Sequence, residues 1–145
     1  MSQTLPPFPV TTVGSWPRPN ALLRAMKSRS GELSKLQDEA VVAAVRAQED
    51  AGADIVTDGE QRRDNFTSFL SERVEGFRCM SMADLLDHVE DKAAFETLLQ
   101  TLDVPAYAIR NNVAVGRLKA TKPLVMDDLA FLRSVTDRAI KVTLP

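Results

Sequence analysis

The chain has 145 residues, 44% of them hydrophobic and 26% charged, with a formal net charge of −2. That suffices for one domain with its own core, and the mixed signs give no basic face for a phosphate backbone, so nucleic acid is not an expected partner. A single cysteine, Cys79, excludes an internal disulfide framework; with no stretch near the ~18 apolar residues of a membrane span and no signal-peptide pattern at the N-terminus, a cytoplasmic protein without membrane attachment is expected.

The first predicted element is a β-branched run from Phe8 to Val13, closed by Gly14-Ser15 and the Pro17-Arg18-Pro19 punctuation. From about Ser34 to Ala51, Leu36, Ala40, Val41, Ala44, Val45 and Ala47 recur at helical spacing, and Gly52 stands where a left-handed cap belongs. Ile55 to Thr57 reads as a second strand, and Phe66, Phe69, Leu70 and Val74 as a second helix ending near Gly76. A third helical pattern, open to interruption, runs from Met82 to about Leu102. Tyr107 to Lys119 carries β formers around Asn111-Asn112 and predicts an inserted hairpin. Pro123 to about Arg138 is helical again, with Leu129, Leu132 and Val135 on one face, and Ile140 to Leu144 is a last strand.

Strands alternating with helices predict an α/β fold with a parallel sheet and right-handed crossovers: a partial (β/α)8 TIM-type barrel of about three βα units, with a helical and hairpin insertion over approximately 78–120. A closed barrel needs eight strands and typically ~250 residues. The last strand ends on Leu144-Pro145 with no helix after it, so an exposed sheet edge is expected, as in a fragment or a split subunit.

The most informative stretch is Asp54-Ile-Val-Thr-Asp-Gly-Glu-Gln-Arg-Arg-Asp-Asn65, which passes from an apolar strand into a cluster of charged side chains. In βα-repeat folds the carboxyl ends of the strands form the ligand-binding face, which makes Glu60 and Asp58 candidates. The bland alternative is that Asp58-Gly59 is a turn, with Asp64 or Asn65 capping a solvated helix. Arg62 and Arg63 could meet an anionic ligand such as a substrate carboxylate, or pair with Asp58 and Asp64. Trp16 is a pocket wall or plain packing.

Three motifs, Thr11-Thr-Val-Gly-Ser-Trp-Pro17, Asp54 to Glu60 running on to Asn65-Phe66, and Val74-Glu-Gly-Phe77, occur in the order and spacing found at the start of the catalytic barrel of cobalamin-independent methionine synthases. The segments Ala114-Val-Gly116, Ser134-Val-Thr-Asp137 and Lys141-Val-Thr-Leu-Pro145 also resemble that family, so the resemblance covers nearly the whole chain as the N-terminal part of such a barrel domain. It implies methionine biosynthesis by a zinc-dependent methyltransferase, in which a zinc-bound homocysteine thiolate takes a methyl group from a methyltetrahydrofolate. By the same resemblance Val13, Gly14 and Ser15 would bind the substrate carboxylate, and Glu60 would accept hydrogen bonds from its ammonium group.

The chain departs from the family twice. The family's zinc ligands, a histidine, two cysteines and a glutamate, lie later in the barrel, and here His88 and Cys79 show no metal spacing, reading as a surface helix residue and a small apolar filler. An aspartate, Asp58, stands where methionine synthases carry a histidine before the glycine, leaving homocysteine or a related thiol as the acceptor. The expected role is therefore to supply the amino-acid-binding loops, with zinc on a complementary C-terminal barrel chain, and the chain alone should be inactive. The alternatives are a non-catalytic half-barrel that self-associates or pairs with a partner subunit, and a truncation product without a stable fold.

Overall fold

One stripe of the longest helix carries the core. In the computed structural model, which describes residues 4–144, α2 (Leu33–Asp50) buries Ala40, Val41, Ala44, Val45 and Gln48 along a single face, as spacings of three and four residues dictate. Val41 and Val45 join Ala53, Val56 and Leu132 in the buried cluster, and Phe131, Val135, Ile140 and Val142 pack against it. Gly52 follows the helix at φ +82, the left-handed position expected of it.

The chain divides into two compact units, one containing residues up to Phe66 and from Val125 onward, the other Thr67–Leu124. In the first, α1 (Asn20–Ser28) and α2 precede β1 (Ile55–Val56), and α4 (Met126–Val135) precedes β4 (Ala139–Ile140). β1 and β4 pair in parallel, Ile55 opposite Ala139 and Val56 opposite Ile140, and Thr11 adds one parallel bridge to Ile55. The two-residue β1 lies within the strand expected at Ile55–Thr57, whereas β4 shares only Ile140 with the strand expected over Ile140–Leu144, whose residues 141–144 are not in a strand; Pro145 lies outside the described residues.

Two expectations for this unit need correction. The strand foreseen over Phe8–Val13 amounts to that single bridge. The Val10 carbonyl accepts from the N–H groups of both Asp54 and Ile55, at 2.9 and 3.1 Å. The Val10 N–H donates to Asp54 Oδ2 at 2.8 Å, a side-chain bond where a ladder bond would stand. Phe8 and Val13 are 90% and 91% exposed, and among the described residues no strand pairs with this segment beyond that bridge. Meanwhile α1 occupies Asn20–Ser28, a stretch to which the sequence assigned no element. Pro19, at φ −57, precedes its first turn without strain, and Leu22 and Ala25 are its buried face.

The second unit departs further from the sequence reading. In place of a helix through Phe66, Phe69, Leu70 and Val74 there is a 3₁₀ turn, Ser68–Glu72, and then β2 (Val74–Ser81). β2 pairs antiparallel with β3 (Arg110–Ala120), with a register shift between Glu75 and Phe77. Gly76 sits in that irregularity at φ +89, where a Cβ would come within 2.5 Å of the Arg117 carbonyl oxygen, so close approach and left-handed backbone both demand glycine. The hairpin expected around Asn111-Asn112 is absent because both residues lie within β3, opposite Met80 and Cys79. Cys79 is therefore a half-buried strand residue, and His88 is exposed at the end of a 3₁₀ turn, Asp84–His88. The third helical pattern is interrupted between that turn and α3 (Lys92–Gln100), which starts where Asp91 Oδ1 accepts from the Ala94 N–H at 2.9 Å.

Among the described residues no helix is long and apolar enough to cross a membrane.

Candidate functional site

The polar stretch after β1 is held by a buried amide. Gln48, fully buried on α2, donates to the carbonyls of Ala44 and Thr57 (both 2.9 Å) and accepts from the Thr57 N–H (3.0 Å) and the Thr12 hydroxyl (2.9 Å). Its side chain replaces the strand pairing that Thr57 lacks, so the end of β1 is fixed against both α2 and the Thr12 segment.

Beyond Thr57 the backbone turns sharply into a left-handed pair. Gly59 and Glu60 have φ +61 and +54, a conformation that side-chain-bearing residues avoid. Asp58 Oδ1 accepts from the Glu60 N–H at 2.9 Å and Thr57 Oγ1 from the Gly59 N–H at 3.1 Å, side-chain bonds of the kind that stabilise such turns. A Cβ on Gly59 would lie 3.1 Å from the Cβ atoms of both Ala44 and Trp16, so Trp16 packs on this glycine.

A second loop, Ser15–Arg18, locks onto the turn. The Trp16 N–H donates to the Gly59 carbonyl at 3.0 Å, Gln61 Nε2 donates to the carbonyls of Trp16 (2.9 Å) and Gly59 (3.1 Å), and the Ser15 hydroxyl donates to Glu60 Oε2 at 2.5 Å. Glu60 is 5% exposed, whereas Ser15 is exposed, so the hydroxyl stands between the carboxylate and solvent.

Of the expected site residues, Val13 and Gly14 line a pocket of about 360 Å³ with Thr12, Thr57, Lys141 and Thr143, while Ser15 and Glu60 are not among its walls. Lys141 reaches across to donate to the Thr12 carbonyl. Asp58 is buried in the turn. Arg62 pairs with Asp38, lies 3.4 Å from Asp128 and stacks over Phe131 at 4.7 Å from the ring centroid. Arg63 is buried and donates to the Thr143 carbonyl at 2.9 Å. Arg62 thus ties the turn to α2 and α4, and Arg63 ties it to the segment after β4. Asp64 Oδ1 accepts from the Asn65 N–H at 2.8 Å, and the helix it was expected to cap is absent.

Sequence reasoning passed over Gln48, Gln61, Arg18 and Lys141. Gln48 gave the one usable signal, a polar residue on the apolar face of a helix. The others act through partners distant in sequence. The described residues do not fit a zinc ion: no three His, Cys, Asp or Glu side chains come together where a metal could be held.

A larger polar pocket, about 550 Å³, opens beside Asp54 and Asp137, before β1 and β4, and is walled by Arg46, Glu49, Arg133 and Thr136. The Thr136 hydroxyl, at 2.5 Å, and then Arg46 hold the Glu49 carboxyl below its ordinary range.

The family described as cobalamin-independent synthase, catalytic domain, matches residues 8–94. The chain is 31% identical over 152 aligned residues to a methionine synthase of Sulfolobus acidocaldarius, covering 99% of this chain and 39% of that protein. Against a methionine synthase of Sulfurisphaera tokodaii it is 32% identical over 147 residues, covering 97% and 38%. It resembles the structure of a B12-independent methionine synthase from Shewanella sp. W3-18-1 in complex with selenomethionine, with a TM-score of 0.63 at 25% identity over 94% of this chain and 37% of that one. The chain thus spans about two fifths of the length of the curated relatives it matches.

Proposed function

The chain belongs to the family of cobalamin-independent synthase catalytic domains, and from that premise we propose that it supplies the amino-acid-binding loops of a methyltransferase acting on homocysteine or a related thiol. The observation that carries this reading is the Ser15–Glu60 hydrogen bond of 2.5 Å, which joins two loops that follow successive parallel segments of the sheet. Strand ends of that kind are where βα barrels bind ligands. A substrate ammonium takes the place of the Ser15 hydroxyl on Glu60 in a charge-assisted contact, and the pocket bordered by Val13 and Gly14 receives the rest of the amino acid, with the Gly14 backbone open to a carboxylate. The selenomethionine complex of the Shewanella relative supports a site for a sulfur-type amino acid.

In this reading the first unit is the opening part of a (β/α)8 barrel, with the second unit inserted between β1 and α4, and 1–145 a single N-terminal barrel portion. The complementary portion, as a second polypeptide or as the remainder of a longer protein, covers the exposed Phe8, Val10 and Val13 and pairs with the free edge of β4. It also brings the donors for zinc, which the described residues lack, and the site for a methyltetrahydrofolate. The same open edges favour a second reading, a non-catalytic half-barrel that pairs with itself. Calorimetric titration of L-selenomethionine into the assembled enzyme tests the first. Binding that weakens in Glu60→Ala is expected; equal binding by both proteins contradicts it.

A further inference from the structure

Glu60 holds a backbone conformation that glutamate does not choose. Its φ of +54 places it in the left-handed region, where a residue with a Cβ persists only if its surroundings impose it. The Asx-type bond from the Glu60 N–H to Asp58 fixes one side of the peptide. On the other side stands Arg18. Its Nη2 donates to the Glu60 carbonyl at 2.8 Å and also to the Arg63 carbonyl, closing the turn from Glu60 to Arg63 like a buckle. The Arg63 N–H to Glu60 carbonyl bond, 3.2 Å, lies inside that span.

Two further observations show that the guanidinium is committed to this task. Arg18 forms no carboxylate ion pair among the described residues, and its Nε is buried without a hydrogen-bond partner. A buried arginine nitrogen left unsatisfied is costly, so the two carbonyl bonds hold the side chain where it gains nothing else. Pro17 and Pro19 flank Arg18 and restrict the backbone that presents it.

We propose that Arg18 is a positioning residue: by capping the Glu60 and Arg63 carbonyls it keeps Glu60 in its left-handed backbone state, and so keeps the carboxylate turned toward Ser15. The functional meaning of this rests on Glu60 being the ammonium acceptor, but the positioning itself is independent of any ligand. Arg18 touches neither substrate nor reacting atoms in this scheme.

The test is amide hydrogen exchange and thermal melting of the full chain. Arg18→Ala should speed exchange at the Gln61 and Arg63 amides about tenfold, the effect of losing a charge-assisted bond, while exchange in α2 is unchanged. Arg18→Lys, which keeps the charge on a shorter, non-planar donor, should fall between Arg18→Ala and the unsubstituted protein. It also carries the experiment if Arg18→Ala does not fold. The decisive readout is the double-mutant cycle with Glu60→Gly. Glycine takes the left-handed conformation freely, so Arg18→Ala should lower the melting temperature less in the Glu60→Gly background than in the native one. Equal losses in both backgrounds, or unchanged exchange at Gln61 and Arg63 in Arg18→Lys, would overturn the proposal. A positive result combined with selenomethionine binding that ignores Glu60→Ala would leave Arg18's role standing and remove only the ammonium assignment.

Discussion

The Ser15 hydroxyl donates to Glu60 Oε2 at 2.5 Å across 45 residues of chain, a bond between two side chains that joins the first loop of the sheet to the second at the candidate site. Replacing that donor with a substrate ammonium makes the contact charge-charge. Glu60→Ala in the assembled enzyme should therefore raise KM for the thiol substrate by about 10- to 100-fold, the equivalent of ~1.5–3 kcal/mol, with kcat much less affected. Steady-state kinetics with homocysteine check this, and an unchanged KM would remove Glu60 from the binding site.

Gly59 is under two constraints at once, a φ of +61 and a Cβ position 3.1 Å from both Trp16 and Ala44 Cβ atoms. Gly59→Ala should destabilise the protein by about 2 kcal/mol, at least half of it from the left-handed backbone alone. Urea denaturation measures it. A loss of a few tenths would mean that the turn relaxes without resistance.

Gln48 satisfies both backbone groups of Thr57 from inside the core. Gln48→Leu preserves volume but strands a buried N–H and a buried carbonyl, at an expected cost of about 3 kcal/mol. Gln48→Glu gives a comparison of similar shape in which a carboxylate, an acceptor only, replaces the amide that donates to the Ala44 and Thr57 carbonyls. Denaturant midpoints for the pair rank the two effects, and a neutral Gln48→Leu would show that Thr57 finds other partners.

Glu49 titrates below its ordinary value of 4.5, chiefly because the Thr136 hydroxyl donates to it and secondarily through Arg46. A carboxylate with a lowered folded-state pKa adds stability that is complete above its unfolded value and disappears as pH falls through the folded one. Thr136→Val should thus be less stable than the native chain above about pH 5, and the gap should narrow steadily below pH 4.5. Thermal melts from pH 3 to 7 record the gap. A difference independent of pH would assign the effect of Thr136 to packing and to its bond from the Arg138 N–H.

What the sequence disclosed follows from the range of the interactions involved. α2 and α4 were legible because Val41, Ala44 and Val45, and likewise Leu132 and Val135, repeat with the helical period against the core. The β2–β3 pairing was not, because Phe66, Phe69, Leu70 and Val74 also happen to repeat at helical spacing, and the partner that draws Val74 into a strand, Ala120, is far away along the chain. The Asn111-Asn112 pair carries turn-forming residues, yet tertiary pairing places it within a strand. At the site, Ser15 and Glu60 could be named from their motifs, but nothing local announces their contact. Arg18 read as part of a proline-flanked turn, because its two acceptors are carbonyls, and a carbonyl has no identity in a sequence.

The central claim is that this chain works together with a complementary barrel portion that carries the metal. Its most direct test is the mass and zinc content of the native species isolated under mild conditions. A zinc-bearing species larger than 16.0 kDa, in which these residues accompany additional barrel sequence, is the predicted result. A metal-free species built only from copies of this chain would contradict it.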